Sequence, residues 1–317
     1  TAFDLNQYAT ATAQPGLAVG KISEVLSPIP PVTEQLRINS ALEKLSAHIT
    51  QYGALEDERE QLDTELPEHL RKSILQMAVQ GKLIPQDPAD EPASELLERI
   101  RAERAELIKQ KKLKAPKGGE SVIYRGSDGG YYEKRGSGEP VCIDDEIPFE
   151  IPKSWEWCRL GDLGDWGAGA TPAKGESKYY TNGTIPWLLT GDLTDGPVST
   201  IPNYITEEAL KKTSVRLNPV GSVLIAMYGA TIGKIGILEV EATTNQACCA
   251  CILHVDELRP YLFYFLLSQQ QEFRKKGEGG AQPNISKQKI VATLMPVPPL
   301  VEQERIVAAL NSALSSL

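Results

Sequence analysis

From Glu34 to about Gln80, apolar residues recur at alternating spacings of three and four: Ile38, Leu42, Leu45, Ile49, Tyr52, Leu55, Leu62, Leu66, Leu70, Ile74 and Met77, with Arg59 in the one polar place. That spacing predicts a helix carrying a coiled-coil-type stripe. At about 1.5 Å of rise per residue the helix would reach roughly 70 Å. Pro67 is placed to kink it and Gly81 to stop it. A second amphipathic helix is predicted from Ser94 to about Lys112, with Ser94 as its N-cap. A lone helix of the first one's length cannot bury its stripe, so a partner helix is required. Either an ordinary bundle or a helix of another chain would supply it.

Beyond the helices the pattern changes. Residues 114–146 are rich in Gly, Ser, Lys and Glu (GSDGGYYEKRGSG) and read as a flexible linker or surface hairpin. From about Ile147 to Lys289, short β-branched and apolar runs alternate with turns. They predict strands at Trp155–Leu160, Ile185–Thr190, Ser222–Tyr228, Ile235–Val240 and Gln246–Leu253, with helices at Glu207–Thr213 and Leu258–Lys276. The fold class is therefore α+β: a strand-rich globular domain joined to long spacer-type helices.

A repeat organises these elements. Ile22–Leu42 (ISEVLSPIPPVTEQLRINSAL) recurs 268 residues later as Ile290–Leu310 (IVATLMPVPPLVEQERIVAAL), in one ungapped frame. Both copies keep P-x-P-P-x-x-E-Q-x-R-I and a closing Ala-Leu. Each predicts a strand (Ile290, Val291, Thr293 and Leu294 in the second copy), a stiff proline connector and a helix opened by acidic residues.

Composition narrows the function classes. The formal charge of −9 argues against a protein that simply coats nucleic acid, yet allows one whose cations sit on a few loops. No apolar run approaches the roughly 18–20 residues of a membrane span. No secretory signal is visible at the start, and five cysteines, three of them crowded at Cys248, Cys249 and Cys251, fit a reducing cytoplasm better than a disulfide framework. Gly229-Ala-Thr-Ile-Gly-Lys234 is one residue too short between its glycines for a phosphate loop, and Ile235 stands where a hydroxyl residue should hold magnesium. The cysteine cluster lies in an apolar strand, and the three histidines are dispersed. No catalytic residue, resident cofactor or metal site is assigned. The chain reads as a binding protein.

Several turns carry groups suited to nucleic acid. Gly167–Gly175 offers backbone N–H groups with Thr171 and Lys174, and Lys178 follows. Tyr228, Gly229, Thr231 and Lys234 combine an aromatic face, a close-approach glycine, a hydroxyl and a cation. Asn245 and Gln246 carry the amides that pair with adenine, and are equally compatible with strand burial. Trp187, Thr190, Gln282, Asn284 and Lys287 complete the candidate DNA-binding set.

The chain resembles the specificity subunits of type I restriction-modification enzymes. The resemblance rests on Ile147-Pro-Phe-Glu-Ile-Pro-Lys-Ser-Trp155-Glu-Trp157, Leu160-Gly-Asp, Ile185-Pro-Trp187-Leu, Thr190-Gly-Asp192-Leu, Ser222–Lys234, Thr244-Asn245-Gln246-Ala247, Tyr261-Leu-Phe-Tyr-Phe, Gln282-Pro-Asn-Ile-Ser-Lys287 and both proline junctions. It implies a non-catalytic subunit that reads one part of a split double-stranded DNA target. Methyltransferase subunits would dock on it, using S-adenosylmethionine, and restriction-motor subunits would join, using ATP and magnesium. The corresponding organisation is the tail of a first recognition domain and its Pro-rich connector at 1–33, spacer helices at 34–112, a linker at 113–146, a target recognition domain at 147–299 and the start of a second spacer helix at 300–317. A shortened subunit with one complete recognition domain is expected, with a homodimer through the spacer helices as one way to cover the seam. The alternative is a coiled-coil scaffold that does not read DNA.

Overall fold

The computed structural model describes residues 19–23, 26, 28–116, 118–277 and 284–317. Its helices are α1 (Val19–Ser23), α2 (Val32–Val79), α3 (Ala93–Lys109), α4 (Leu160–Leu163), α5 (Glu207–Lys212), α6 (Arg259–Ser268), α7 (Gln270–Lys275), α8 (Lys287–Val291) and α9 (Leu300–Leu314). The strands are β1 (Ser121–Arg125), β2 (Tyr131–Arg135), β3 (Val141–Cys142), β4 (Glu156–Arg159), β5 (Gly164–Ala168), β6 (Ile185–Leu188), β7 (Gly196–Val198), β8 (Tyr204–Ile205), β9 (Leu217–Asn218), β10 (Val223–Ala226), β11 (Ile235–Leu238), β12 (Ala242–Thr244), β13 (Cys248–Leu253) and β14 (Leu294–Val297). Two units are distinguished, Thr1–Leu66 and Pro67–Leu317. None of the described helices is long and apolar enough to cross a membrane.

Helix α2 runs 48 residues with Pro67 inside it. Only Leu75, Ala78 and Val79 are buried, so Ile38, Leu42, Leu45, Ile49, Tyr52, Leu55, Leu62 and Leu66 present the predicted seam to solvent. Gly81 ends the helix at φ +68°, with Lys82 N–H donating to the Met77 carbonyl at 2.9 Å, a left-handed cap of the kind the sequence suggests. The start of α3 corrects the expected cap: Pro92 holds that place with no side-chain bond, and Ser94 lies one residue inside the helix.

Of the two readings of the segment 113–146, the structure takes the hairpin rather than the flexible linker. The segment forms an antiparallel sheet, β1-β2-β3, with Asp128-Gly129 in the first turn and Gly129 at φ +88°. Gly and charge dominate its composition, but Ile123 in β1 and Tyr131 and Glu133 in β2 take the buried positions of alternating strands, and tertiary contacts decide the outcome. Glu133 is buried and accepts from Arg159 Nη2 at 2.8 Å, while Arg135 lies 2.6 Å away. Ser121 Oγ donates to the same carboxylate at 2.5 Å, and Arg159 Nη1 reaches Glu146 at 2.6 Å. A buried ion pair thus pins the hairpin to β4.

The second unit is centred on a five-stranded sheet of order β5-β13-β10-β11-β7, beside a four-stranded one of order β8-β6-β12-β9 and the ladder β14-β4. Strand β10 is buried at every position, as is expected of a strand covered on both faces. In β13, Cys248, Cys249 and Cys251 are free and buried. Burial raises all three thiols, Cys249 up to about 12.

The 268-residue repeat is structural as well as textual. Helices α1 and α8 occupy equivalent residues, α2 and α9 start at equivalent residues, and Gln35 and Gln303 donate to the Pro30 and Pro298 carbonyls at 2.8 and 2.9 Å. The expected strand at 290–294 is displaced: Ile290 and Val291 close α8, and the strand is Leu294–Val297 with Pro296 inside it. A two-stranded ladder leaves one side of each strand unpaired, where a residue without an N–H is tolerated.

Candidate nucleic-acid interface

The strand directions of the five-stranded sheet decide which loops meet. Register pairs Ala168 with Cys249, Ala226 with Cys248, Ile225 with Ile235, and Gly236 with Gly196. The loops after β5, before β13, between β10 and β11, and before β7 therefore lie at one end of the sheet. Thr244 pairs with Leu188, and Asn245 N–H donates to the Leu188 carbonyl at 3.0 Å, which brings the chain leading to Thr190 to the same end. Thr171, Lys174, Thr190, Tyr228, Gly229, Thr231, Lys234, Asn245 and Gln246 come from four separate stretches of sequence and share this rim.

Two of the loops are laced together. Gly169 N–H donates to the Cys248 carbonyl and Ala170 N–H to the Thr244 carbonyl, both at 3.0 Å. A β-carbon on Gly169 would fall 2.1 Å from the Thr244 carbonyl, so a side chain there would force the loops apart. Across the same gap Thr171 Oγ1 donates to Gln246 Oε1. Asn245 Oδ1 accepts the Ala247 N–H at 3.1 Å in an Asx-type turn, leaving its NH2 as the group available to a ligand. Asn245 is half-buried and Gln246 exposed, just before β13 rather than inside a strand.

Trp187 corrects an expectation. The sequence suggests a DNA-facing residue, but Trp187 is buried, donates Nε1 to the Ala170 carbonyl at 3.2 Å and meets the Tyr180 ring edge-on at 5.9 Å. Its place in β6, an alternating strand, turns the indole into the small core beneath the loop. It props the Ala170 turn from below and cannot be a surface contact.

The turn between β10 and β11 is built for close approach. Tyr228 is exposed and pairs with Asn284, and Thr231 Oγ1 donates to the Tyr228 carbonyl at 2.9 Å. Gly229 and Gly233 take φ +65° and +81°. Nothing lies within 4 Å of a β-carbon at Gly229, so that face is open. Arg274 of α7 donates Nε to the Ile232 carbonyl at 3.2 Å and braces the turn. The sequence shows the basic end of that helical segment, but only the fold reveals which turn it meets.

The remaining candidates divide. Among the described residues, Lys174 and Lys234 make no ion pair. Lys178 is paired with Glu176 at 3.0 Å, which raises its pKa, and it sits 5.2 Å from the Tyr179 ring. Lys287 Nζ donates to the Trp166 carbonyl at 3.1 Å, along the outer edge of β5 rather than on the rim. Gln282 lies outside the described residues. Among the described residues no group of three or more His, Cys, Asp or Glu side chains could hold a metal ion.

A family described as "Type I restriction modification DNA specificity domain" matches residues 152–315, which contain the whole rim. The chain is 34% identical over 161 residues to the type I restriction enzyme EcoR124I/EcoR124II specificity subunit of Escherichia coli, covering 49% of this chain and 40% of that protein. It is 27% identical over 266 residues to the EcoAI specificity subunit of the same species, covering 78% and 40%. The matches thus span about two fifths of the length of these curated relatives. A solved structure described as the HsdS subunit from Thermoanaerobacter tengcongensis aligns over 98% of this chain and 58% of that one, at TM-score 0.47 and 19% identity.

Proposed function

The chain belongs to the type I restriction-modification DNA specificity family, and from that premise we propose that the rim of the five-stranded sheet reads double-stranded DNA on behalf of a restriction-modification complex. One observation carries the assignment: four loops distant in sequence meet at one sheet end, within the stretch matched by the family, and bring two unpaired lysines, amides, hydroxyls and an open glycine turn together. Lys174 and Lys234 suit phosphate oxygens, which set position without reading sequence. Gln246 and the NH2 of Asn245 suit base edges, and Tyr228 adds an exposed face beside Asn284. The subunit contributes binding and no chemistry of its own. Methyltransferase partners would supply S-adenosylmethionine and restriction-motor partners ATP with magnesium, all acting in the cytoplasm.

The exposed seam of α2 supports the second half of the proposal, docking to helices of other chains: methyltransferase subunits, or a second copy of this chain. Restriction-motor subunits would join through that assembly. A scaffold that never touches DNA would share the seam but has no use for the rim.

Filter or gel-shift binding over a salt series, with methyltransferase present and absent, tests the reading. K174A and K234A should each weaken DNA binding and lower the salt slope by about 0.9, the value for one phosphate neutralised. Unchanged affinity and slope in both variants would move the DNA surface off this rim.

A further inference from the structure

The rim takes up Lys174 and Lys234 but leaves Lys287 aside. The Lys287 ammonium donates to the Trp166 carbonyl at 3.1 Å, in a groove of about 570 Å³ on the outer side of β5. The start of α8, the first residues of β5, the turn after α3 and the end of β2 form its walls. Five cations line it, Arg104, Lys114, Arg135, Arg159 and Lys287, against two carboxylates, Asp162 and Asp165. Those acids are already met by arginines. Asp162 accepts from Arg104 at 2.7 Å and Asp165 from Arg216 at 2.9 Å. Glu133 behind the groove holds Arg135 at 2.6 Å and Arg159 at 2.8 Å, and Arg159 also holds Glu146. Lys114 and Lys287 are exposed, and among the described residues neither has a carboxylate partner. In a chain of net charge −9, a concave strip with two unmatched positive charges stands apart from the rest.

The strip is continuous with the rim. Asn284 bridges Tyr228, and the Ile285 N–H donates to the Met227 carbonyl at 2.9 Å, so the chain leaves the rim there and reaches Lys287 directly afterwards. Trp166 and Gly164 precede Ala168, at the rim end of β5, by about 7 and 13 Å at the usual strand rise. A DNA strand carries one phosphate per roughly 3.4 Å of helix axis, so these steps span about two to four phosphates. The Lys287 ammonium, engaged once by a carbonyl, keeps two further N–H donors, and Lys114 keeps all of its own. Arg135, half exposed, adds a planar donor suited to phosphate oxygens. We propose that the groove is a second phosphate site, in which Lys114, Arg135 and Lys287 hold the sugar–phosphate backbone of the duplex whose bases face the rim. This rests on the DNA reading of the rim. It gives a task to the β1-β2-β3 sheet, which lies outside the family-matched residues 152–315. Phosphate contacts carry no sequence information, so the groove adds affinity and fixes register without altering base preference.

The test uses the full chain, alone and with methyltransferase, and a long random-sequence duplex. Lys114→Gln with Lys287→Gln should lower the salt slope by about 1.8, at about 0.9 for each phosphate, and weaken binding by roughly tenfold or more at about 0.1 M salt. Lys114→Gln alone breaks no hydrogen bond or ion pair among the described residues and should give half of that change in slope. Lys114→Arg with Lys287→Arg should restore both affinity and slope. Hydroxyl-radical footprinting gives a readout that a merely structural role would not move: the double glutamine variant should lose protection of sugars beyond those lost in K174A and K234A, and melting reports its folding. Groove variants that bind as the unaltered chain does, while K174A and K234A weaken binding, would overturn this site and leave the rim in place. Unchanged binding in the groove and rim variants alike, or no DNA binding by the unaltered chain even with methyltransferase, would remove both.

Discussion

At the scale of single residues, the buried Glu133–Arg159 pair ties the β1-β2-β3 sheet to β4. Burial pushes the Glu133 carboxyl up, but the bonds from Arg159 and Ser121 and the charges of Arg159 and Arg135 outweigh it and hold its pKa below the ordinary value. A depressed carboxylate contributes stability that is present above the unfolded glutamate pKa and is lost as pH falls through the folded one. Removing one partner leaves the other charge buried and unpaired. Glu133→Ala is therefore expected to cost about 3–5 kcal/mol in denaturant unfolding, the scale measured for broken buried pairs. Glu133→Gln should flatten part of the acid limb of the stability curve. Gly169 belongs to the same scale. Gly169→Ala places a methyl against the Thr244 and Asn245 carbonyls, so loss of DNA binding together with a lower melting temperature is the expected outcome.

At the scale of elements, caps and turns decide where helices stop. Gly81 adopts a left-handed backbone, and a β-carbon there would lie 2.5 Å from the Pro152 ring. Gly81→Ala should destabilise the second unit by at least about 1–2 kcal/mol from the backbone conformation alone, read as a lower denaturation midpoint with unchanged slope. Pro92 before α3 shows why one-residue shifts in a helix start escape sequence reading. Ser94 is the better side-chain cap, but Ala93 is fully buried and its N–H donates to the Ser154 carbonyl at 3.0 Å, which fixes the start one residue earlier.

At the scale of the whole molecule, the seam of α2 sets the behaviour in solution. Burying ten apolar side chains at about 1.5–3 kcal/mol each is a gross gain large enough to offset the cost of association. Sedimentation at micromolar concentration should show a mass above the monomer, for the chain alone or with methyltransferase, and Leu45→Glu with Leu55→Glu should abolish it. A monomer under both conditions would remove helix pairing and leave the rim untouched.

The sequence by itself determined the elements whose cause is local. The three-and-four spacing yields α2, the strands at β4, β6, β10, β11 and β13 end within two residues of the predicted runs, and the repeat announces matching helix starts at Val32 and Leu300. It also supplied the family and most of the candidate loop residues. Only the tertiary structure decided what depends on partners far along the chain. Arg159 and Glu133 turn a Gly-rich stretch into a sheet, because a buried ion pair outweighs the local preference for a loop. Strand directions carry Thr171, Tyr228, Asn245 and Thr190 to one end, and the alternation of β6 takes Trp187 under the surface they form. Periodicity records what a residue's neighbours along the chain require. Which surface a loop joins, and whether one repeat copy is buried and its twin exposed, depends on the packing of residues up to 215 positions apart.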